Sequence, residues 1–137
     1  MASNTSQLSS LRAITRHVTG HNENGKAVIH SSTPAEWESL QEKGMAFNVV
    51  YTNQFYPDLN NDADVKTYET LKRSNRLGLV NPGGTVCRIV DFAPNNRAVV
   101  HRTQSLDYGV VLEGQIEMIL EDSDPVIMNR GGVAVQR

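Results

Sequence analysis

The sequence lacks features that several classes of protein require. It contains one cysteine, Cys87, so no disulfide can form within the chain and a reducing compartment is favoured. The formal charge is −2, from 13 basic and 15 acidic residues, without the clustered basic excess of a nucleic-acid-binding domain. No apolar run approaches the roughly 18–20 residues that cross a bilayer. The polar start lacks the layout of a signal peptide. We therefore predict a cytoplasmic protein without nucleic-acid or membrane partners.

The length and hydrophobic content of the chain fit one small domain. The chain has 137 residues, of which 39% are hydrophobic, and a single core commonly occupies roughly 100–200 residues. Residues 1–10 are polar and predict a disordered leader, which leaves a domain over 11–137.

Local patterns predict the elements of the amino-terminal part. Residues 11–18 alternate loosely between apolar and polar side chains, and an apolar run at 27–29 follows the turn signal Asn24-Gly25, so residues 11–30 predict a β-hairpin. Capping signals from Thr33 to Gly44 predict a short helix over 34–43. Residues 45–51 form a strand candidate. Residues 62–73 have helical charge spacing but few apolar positions, so a surface helix and a long ordered loop are both compatible with them.

From residue 85 onward the chain consists of short segments rich in Val and Ile, separated by turn residues. Such spacing at intervals of about 8–12 residues is typical of an antiparallel sandwich or barrel. The predicted strands are Thr85–Phe92, Ala98–Arg102, Tyr108–Leu112, Gln115–Leu120, Pro125–Met128 and Val133–Gln136.

Potential catalytic and metal-binding side chains are most concentrated in the segment that follows residue 100. In an extended strand His101 and Thr103 share one face. A strand, loop, strand, turn, strand order would bring His101 and Asp107 to neighbouring positions on one sheet. An imidazole beside a carboxylate can bind a divalent metal or act as a general acid–base pair. Alternatively, His101 is a structural residue at a strand end, and residues 107–109 form a turn.

The spacing of these residues resembles the first conserved motif of the cupin superfamily. His101 falls on the first His of that motif, Asp107 on its Glu and Gly114 on its closing Gly. Three positions depart from the pattern. Asn95 stands at the leading Gly, and Asp107 is one methylene shorter than the Glu. Thr103 replaces the second His, and His is the better ligand for a transition metal.

Residues beyond the motif positions narrow the resemblance to a subgroup of small fungal and bacterial cupins. The run His-Arg-Thr-x-Ser-x-Asp-Tyr-Gly-x-Val-Leu-Glu-Gly at 101–114 is similar to that subgroup, as is the stretch 18–28. The resemblance touches 16–30 and 79–137. It implies a single cupin-like domain over 11–137 with its core motif at 85–137. The implied fold is all-β, a small jelly-roll barrel with an amino-terminal strand arm and one short helix.

The second cupin motif is represented only by its opening. If Gly131 is its first Gly, Arg137 occupies the Pro position, and the sequence ends there before the motif's His. The expectation is a barrel that is short at its carboxy terminus. The resemblance implies a divalent metal as cofactor, and His101 and Asp107 fill at most two of the family's four ligand positions.

The resemblance also implies a function. Members of the subgroup include cupin-domain oxidoreductases of fungal polyketide (salicylaldehyde-type) secondary metabolism, so we expect an oxidoreductase or accessory enzyme acting on a polyketide-derived small molecule. The alternatives are a non-catalytic cupin that binds an intermediate, and a lyase or isomerase such as a decarboxylase or dehydratase.

The residues expected at the site have separate roles. His101 is the expected base or sole imidazole ligand, and Asp107 orients it or supplies a second ligand. The expected substrate-binding residues are Thr103, Ser105, Tyr108 and Arg88. Exposed strand faces also carry Arg routinely, so Arg88 has a purely structural alternative. A possible homodimer follows from the need to cover an exposed edge strand.

Overall fold

The computed structural model describes residues 7–40, 42, 44–74 and 76–137 and consists mostly of strands with one helix. It divides into two compact units, an amino-terminal unit of Met1–Ala93 and a carboxy-terminal unit of Pro94–Arg137. None of the helical residues that the structure describes belongs to a helix long and apolar enough to cross a membrane.

The amino-terminal unit begins with a two-stranded hairpin of β1 (Thr15–His21) and β2 (Ala27–Pro34). The turn between them closes through the Gly25 N–H, which donates to the Asn22 carbonyl over 2.8 Å. Gly25 has a φ of 71°, a conformation that a side chain would strain. The hairpin predicted over residues 11–30 is thereby confirmed, with its first strand starting later than the alternation indicated.

A three-stranded antiparallel sheet follows, in the order β3 (Glu38–Leu40), β4 (Met45–Gln54), β5 (Gly84–Phe92). The helix predicted over 34–43 is wrong for residues 34–40, because β3 pairs with the start of β4 instead. The amide of Asn48 also donates to the Glu36 carbonyl over 2.9 Å. Pairing across the sheet therefore outweighs the local capping signals. Gln41 and Lys43, within the same predicted helix, lie outside the described residues.

The one helix of the described chain is α1 (Ala63–Ser74), which confirms the helical alternative for residues 62–73. It packs against β4 and buries Val65 and Tyr68. On its exposed side Arg73 and Glu69 form an i,i+4 ion pair at 2.8 Å. A short 3-10 turn, Asn60–Asp62, leads into the helix.

A β-bulge in the middle of β4 decides which side chains meet α1. Val49 pairs with Arg88 and Tyr51 pairs with Cys87, so Val50 is an extra residue in the ladder. Because one extra residue reverses the alternation of faces, Tyr51 joins the face that carries Asn48. The bulge thus turns Tyr51 towards the helix.

The carboxylate of Asp91, on β5, fixes the chain that precedes the hairpin. It is 5% exposed and accepts hydrogen bonds from the backbone N–H groups of Leu8, at 2.6 Å, and Ser9, at 2.8 Å. The Ser9 hydroxyl donates to its other oxygen. Residues 8 and 9 of the predicted leader therefore bind the sheet, and residues 1–6 lie outside the described residues.

The carboxy-terminal unit contains two antiparallel ribbons, one nested inside the other in sequence. The outer ribbon pairs β6 (Asp107–Val110) with β9 (Val133–Gln136), and the inner ribbon pairs β7 (Gln115–Met118) with β8 (Val126–Asn129). Across the described residues the strands form separate small sheets and no closed barrel.

One strand prediction for this unit is wrong, and so is the strand arrangement expected around His101. Residues 98–102 form no strand, because β-propensity is realised only when a neighbouring strand is present to pair with. The outer ribbon continues through Val111, whose N–H donates to the Gly132 carbonyl over 2.9 Å. As β6 is paired with β9, β7 does not return beside it, and His101 and Asp107 do not share a sheet.

Gly84, the first residue of β5, is required by the close approach of the neighbouring strand. A Cβ at this position would lie 2.2 Å from the Asn53 carbonyl oxygen, a backbone atom that cannot move aside. We expect Gly84→Ala to lower the free energy of unfolding by about 1–3 kcal/mol, the range for overpacking. The measurement is urea denaturation followed by the fluorescence of Trp37. Gly78→Ala is the control, because only the Val80 carbonyl oxygen lies within 4.0 Å of its added Cβ. Equal stability of the two variants would contradict the steric explanation.

Candidate functional site

His101 lies in an irregular segment of the carboxy-terminal unit and is exposed. Its Nδ1 atom is 2.9 Å from the carbonyl oxygen of Val99. A carbonyl oxygen only accepts hydrogen bonds, so Nδ1 carries the proton in the neutral ring. The lone pair of the neutral imidazole is therefore on Nε2, which leaves that atom able to take up a proton.

Three of the predicted site residues form a small hydroxyl–carboxylate cluster. The hydroxyl of Thr103 donates to Asp107 Oδ2 over 3.3 Å, and it lies 2.7 Å from the hydroxyl of Ser105. The backbone N–H of Ser105 also donates to the Thr103 hydroxyl oxygen, over 3.2 Å. Since the single Thr103 proton points to Asp107, the Ser105 hydroxyl donates to Thr103. This chain of bonds orients the carboxylate at the start of β6.

The other predicted residues of this unit stand apart from that cluster. Within the described residues, no hydrogen bond or ion pair joins His101 to Asp107. Tyr108 follows Asp107 on β6 and is exposed. The structure therefore brings Thr103, Ser105 and Asp107 together, whereas the expected imidazole–carboxylate pair is not formed.

Arg88 belongs to the amino-terminal unit and performs a structural task there. Its guanidinium group donates to the carbonyl oxygens of Gly78, at 2.9 Å, and Leu79, at 3.1 Å. It also lies over the Phe47 ring, 5.5 Å from its centre. Burial lowers the pKa of Arg88, and the charge of Glu38 opposes that shift. These bonds connect the segment before β5 to the sheet.

A cleft of about 380 Å³ opens on the amino-terminal unit, between β1 on one side and the β4 bulge with the start of α1 on the other. This volume falls within the range of small-molecule pockets. The cleft is lined by one edge strand, apolar side chains and two carboxylates: Arg16, His17, Val18, Thr19, Gly20, His21, Val50, Tyr51, Leu59, Asp62, Asp64 and Val65.

A polar and aromatic network forms the floor of this cleft. Arg16 donates to the Val50 carbonyl over 3.1 Å and to the Tyr68 hydroxyl, and its guanidinium lies 5.0 Å from the centre of the Tyr68 ring. Tyr68 stacks on Tyr51 with ring centres 4.7 Å apart. The Tyr51 hydroxyl donates to Asp64 Oδ2 over 2.6 Å. The network therefore connects β1, β4 and α1.

The environment keeps the Tyr51 hydroxyl protonated. Burial raises its pKa above the ordinary tyrosine value, and the hydrogen bond to Asp64 and the charge of that carboxylate raise it further. At neutral pH Tyr51 is therefore a hydrogen-bond donor to Asp64.

The sequence patterns missed this network. Its partners lie far apart in the chain, so no local spacing joins them. One signal was available: Arg16 stands between Ile14 and Val18 on the half-buried side of an alternating strand. A charged side chain on that side needs acceptors from another element, which here are Val50 and Tyr68.

Known proteins align with most of the length of this chain. The chain is 40% identical over 129 residues to phomopsin biosynthesis cluster protein D of Diaporthe leptostromiformis, which covers 93% of this chain and 68% of that protein. It is 38% identical over 130 residues to the cupin-domain-containing oxidoreductase virC of Hypocrea virens, covering 93% of this chain and 64% of that protein. The chain belongs to this cupin-domain family of fungal biosynthesis-cluster proteins. The resemblance predicted from residues 16–30 and 79–137 is thereby confirmed.

A third relative is the oryzines biosynthesis cluster protein J of Aspergillus oryzae. It is 38% identical over 125 residues, which are 89% of this chain and 69% of that protein. The chain thus spans about two thirds of the length of these relatives. It matches no protein-family model.

The metal that the cupin resemblance implies does not fit the donor set of this chain. Among the described residues, no group of three or more His, Cys, Asp or Glu side chains is placed to hold a metal ion. The Thr103 hydroxyl, at the second His position of the motif, is engaged with Ser105 and Asp107. Neutral hydroxyl oxygen is also a weaker ligand than imidazole for transition metals. The described residues therefore supply no metal centre.

Proposed function

We propose that the protein is a cupin-domain oxidoreductase or accessory enzyme that acts on a polyketide-derived small molecule in fungal secondary metabolism, in the cytoplasm. The observation that carries this proposal is the 38% identity to virC, named a cupin-domain-containing oxidoreductase, over 93% of the chain. A second such relative, fogC of Aspergillus ruber, is 37% identical over 132 residues.

The geometry around His101 supports an acid–base role. Nδ1 is held by the Val99 carbonyl, so Nε2 of the neutral ring is free to take up the proton that an enolisable carbonyl compound or a hydroxyl group gives up. Thr103 and Ser105 orient the carboxylate of Asp107 as a hydrogen-bond acceptor for the substrate. Tyr108 supplies a further exposed hydroxyl on β6.

The proposal also includes a cupin barrel as the fold of this protein. The nested ribbons of the carboxy-terminal unit and the antiparallel sheet of the amino-terminal unit are compatible with parts of a jelly-roll barrel. We propose that the cupin barrel is built from these strands.

Mass spectrometry tests the function. The gene is deleted in the source organism, and the compound that accumulates is incubated with the purified chain. With a redox co-substrate supplied, dioxygen or a nicotinamide coenzyme in parallel incubations, an oxidoreductase changes the mass of the compound by two hydrogen atoms or by added oxygen. An unchanged mass with a new retention time would identify an isomerase, and loss of carbon dioxide or water would identify a lyase. An unaltered compound that co-purifies with the protein would identify a binding protein and contradict catalysis. Heat-denatured protein is the control.

A further inference from the structure

The cleft of the amino-terminal unit has the construction of a ligand site, and the role proposed for His101 does not use it. One wall is β1, whose only sheet neighbour among the described strands is β2. The backbone N–H and C=O groups on its other edge therefore remain able to bond a ligand. Residues 16–21 of this strand line the cleft without interruption.

The opposite wall combines an apolar surface with two carboxylates. Val50, Leu59 and Val65 provide apolar contact, and Asp62 and Asp64 provide acceptors. Tyr51 occupies Asp64 Oδ2, and Oδ1 carries no hydrogen bond within the described part of the chain. This wall therefore suits a molecule that has both an apolar body and hydrogen-bond donors.

The charges of the cleft disfavour an anionic ligand. Its one guanidinium group, on Arg16, is turned to the Val50 carbonyl and to the ring and hydroxyl of Tyr68. The two aspartates would repel a carboxylate or phosphate that entered the cleft.

We propose that this cleft binds a neutral aromatic compound that carries hydroxyl groups. One hydroxyl donates to Asp64, the ring lies against Leu59 and Val65, and the unpaired edge of β1 bonds the remaining polar groups. All the residues that line this site belong to the amino-terminal unit, whereas His101 belongs to the carboxy-terminal unit.

The experiment uses resorcinol as a neutral dihydroxylated probe and benzoate as an anionic probe of similar size. Each is titrated into the full chain labelled with ¹⁵N, and the backbone amide signals are followed by NMR. Resorcinol is expected to shift the signals of residues 16–21 and 59–65, and benzoate to leave them in place. Asp64→Asn is expected to weaken resorcinol binding about tenfold, since it replaces a charged acceptor with a neutral one.

A pair of surface variants makes the test independent of folding. Leu59 in the cleft is 70% exposed and Leu79 outside it is 71% exposed, so glutamate is tolerated at either position. Leu59→Glu is expected to abolish the resorcinol shifts, whereas Leu79→Glu retains them. Equal binding by both variants, or equal shifts with benzoate, would overturn the proposal. His101→Ala is expected to retain resorcinol binding, so failure of this proposal and failure of the catalytic role are distinguishable.

Discussion

Replacing Tyr68 by alanine is expected to lower the free energy of unfolding of the amino-terminal unit by about 3–5 kcal/mol, the range for truncating a buried aromatic side chain. Tyr68 is 2% exposed and joins α1 to both β4 and β1. Its ring stacks on Tyr51 and lies under the Arg16 guanidinium. The variant leaves a cavity and deprives the half-buried Arg16 of a partner. Small domains have a total stability of about 5–15 kcal/mol, so this loss is a large part of it.

The measurement is equilibrium denaturation in urea followed by the fluorescence of Trp37, the chain's single tryptophan, which lies in the same unit. Tyr68→Phe separates the two contributions, because it retains the ring and removes the hydroxyl bonds to Arg16 and the Val49 carbonyl. Its expected cost is about 1–3 kcal/mol, that of leaving buried polar groups unpaired. Tyr56→Ala is the control, since Tyr56 is 97% exposed. A Tyr68→Ala variant as stable as Tyr56→Ala would show that the network does not hold the unit together.

Replacing His101 by alanine is expected to lower the rate of product formation by about 10²–10⁴-fold, the usual contribution of a general acid–base group. The expectation depends on the Nε2 atom that the Val99 carbonyl leaves unprotonated. The assay follows the compound that accumulates after gene deletion, with substrate at saturation so that kcat is measured separately from KM.

His30→Ala is the matched control for this variant. His30 is an exposed imidazole of the amino-terminal unit, 3.8 Å from Asp62, and it lies outside the residues assigned to either site. We expect it to retain the activity of the unaltered protein. Equal losses in the two variants, or full activity of His101→Ala, would remove His101 from the mechanism.

Much of the local structure was predictable from the sequence. The hairpin around Gly25, the strand character of β4 and β5, and the turn before Gly84 follow from alternation and from turn residues. These features depend on neighbouring residues, so local patterns carry them. The family was also predictable, because residues 101–114 preserve a motif in order.

The pairing of strands was predictable only in part. Residues 98–102 are rich in strand-forming side chains and yet form no strand, because no partner pairs with them in the described structure. Residues 38–40 lie within strong helix-capping signals and yet pair with β4. In both segments the outcome depends on which other segment is adjacent, and local propensity contains no such information.

The sequence by itself determined the family, the positions of most strands and the order of candidate groups from His101 to Tyr108. Only the tertiary structure decided that Arg16, Tyr51, Tyr68 and Asp64 meet in one cleft. The physical reason is the bulge at Val50, where a single extra residue reverses the faces of β4 and turns Tyr51 to α1. A one-residue irregularity of this kind is set by packing between elements distant in sequence, which no pattern of neighbouring residues records.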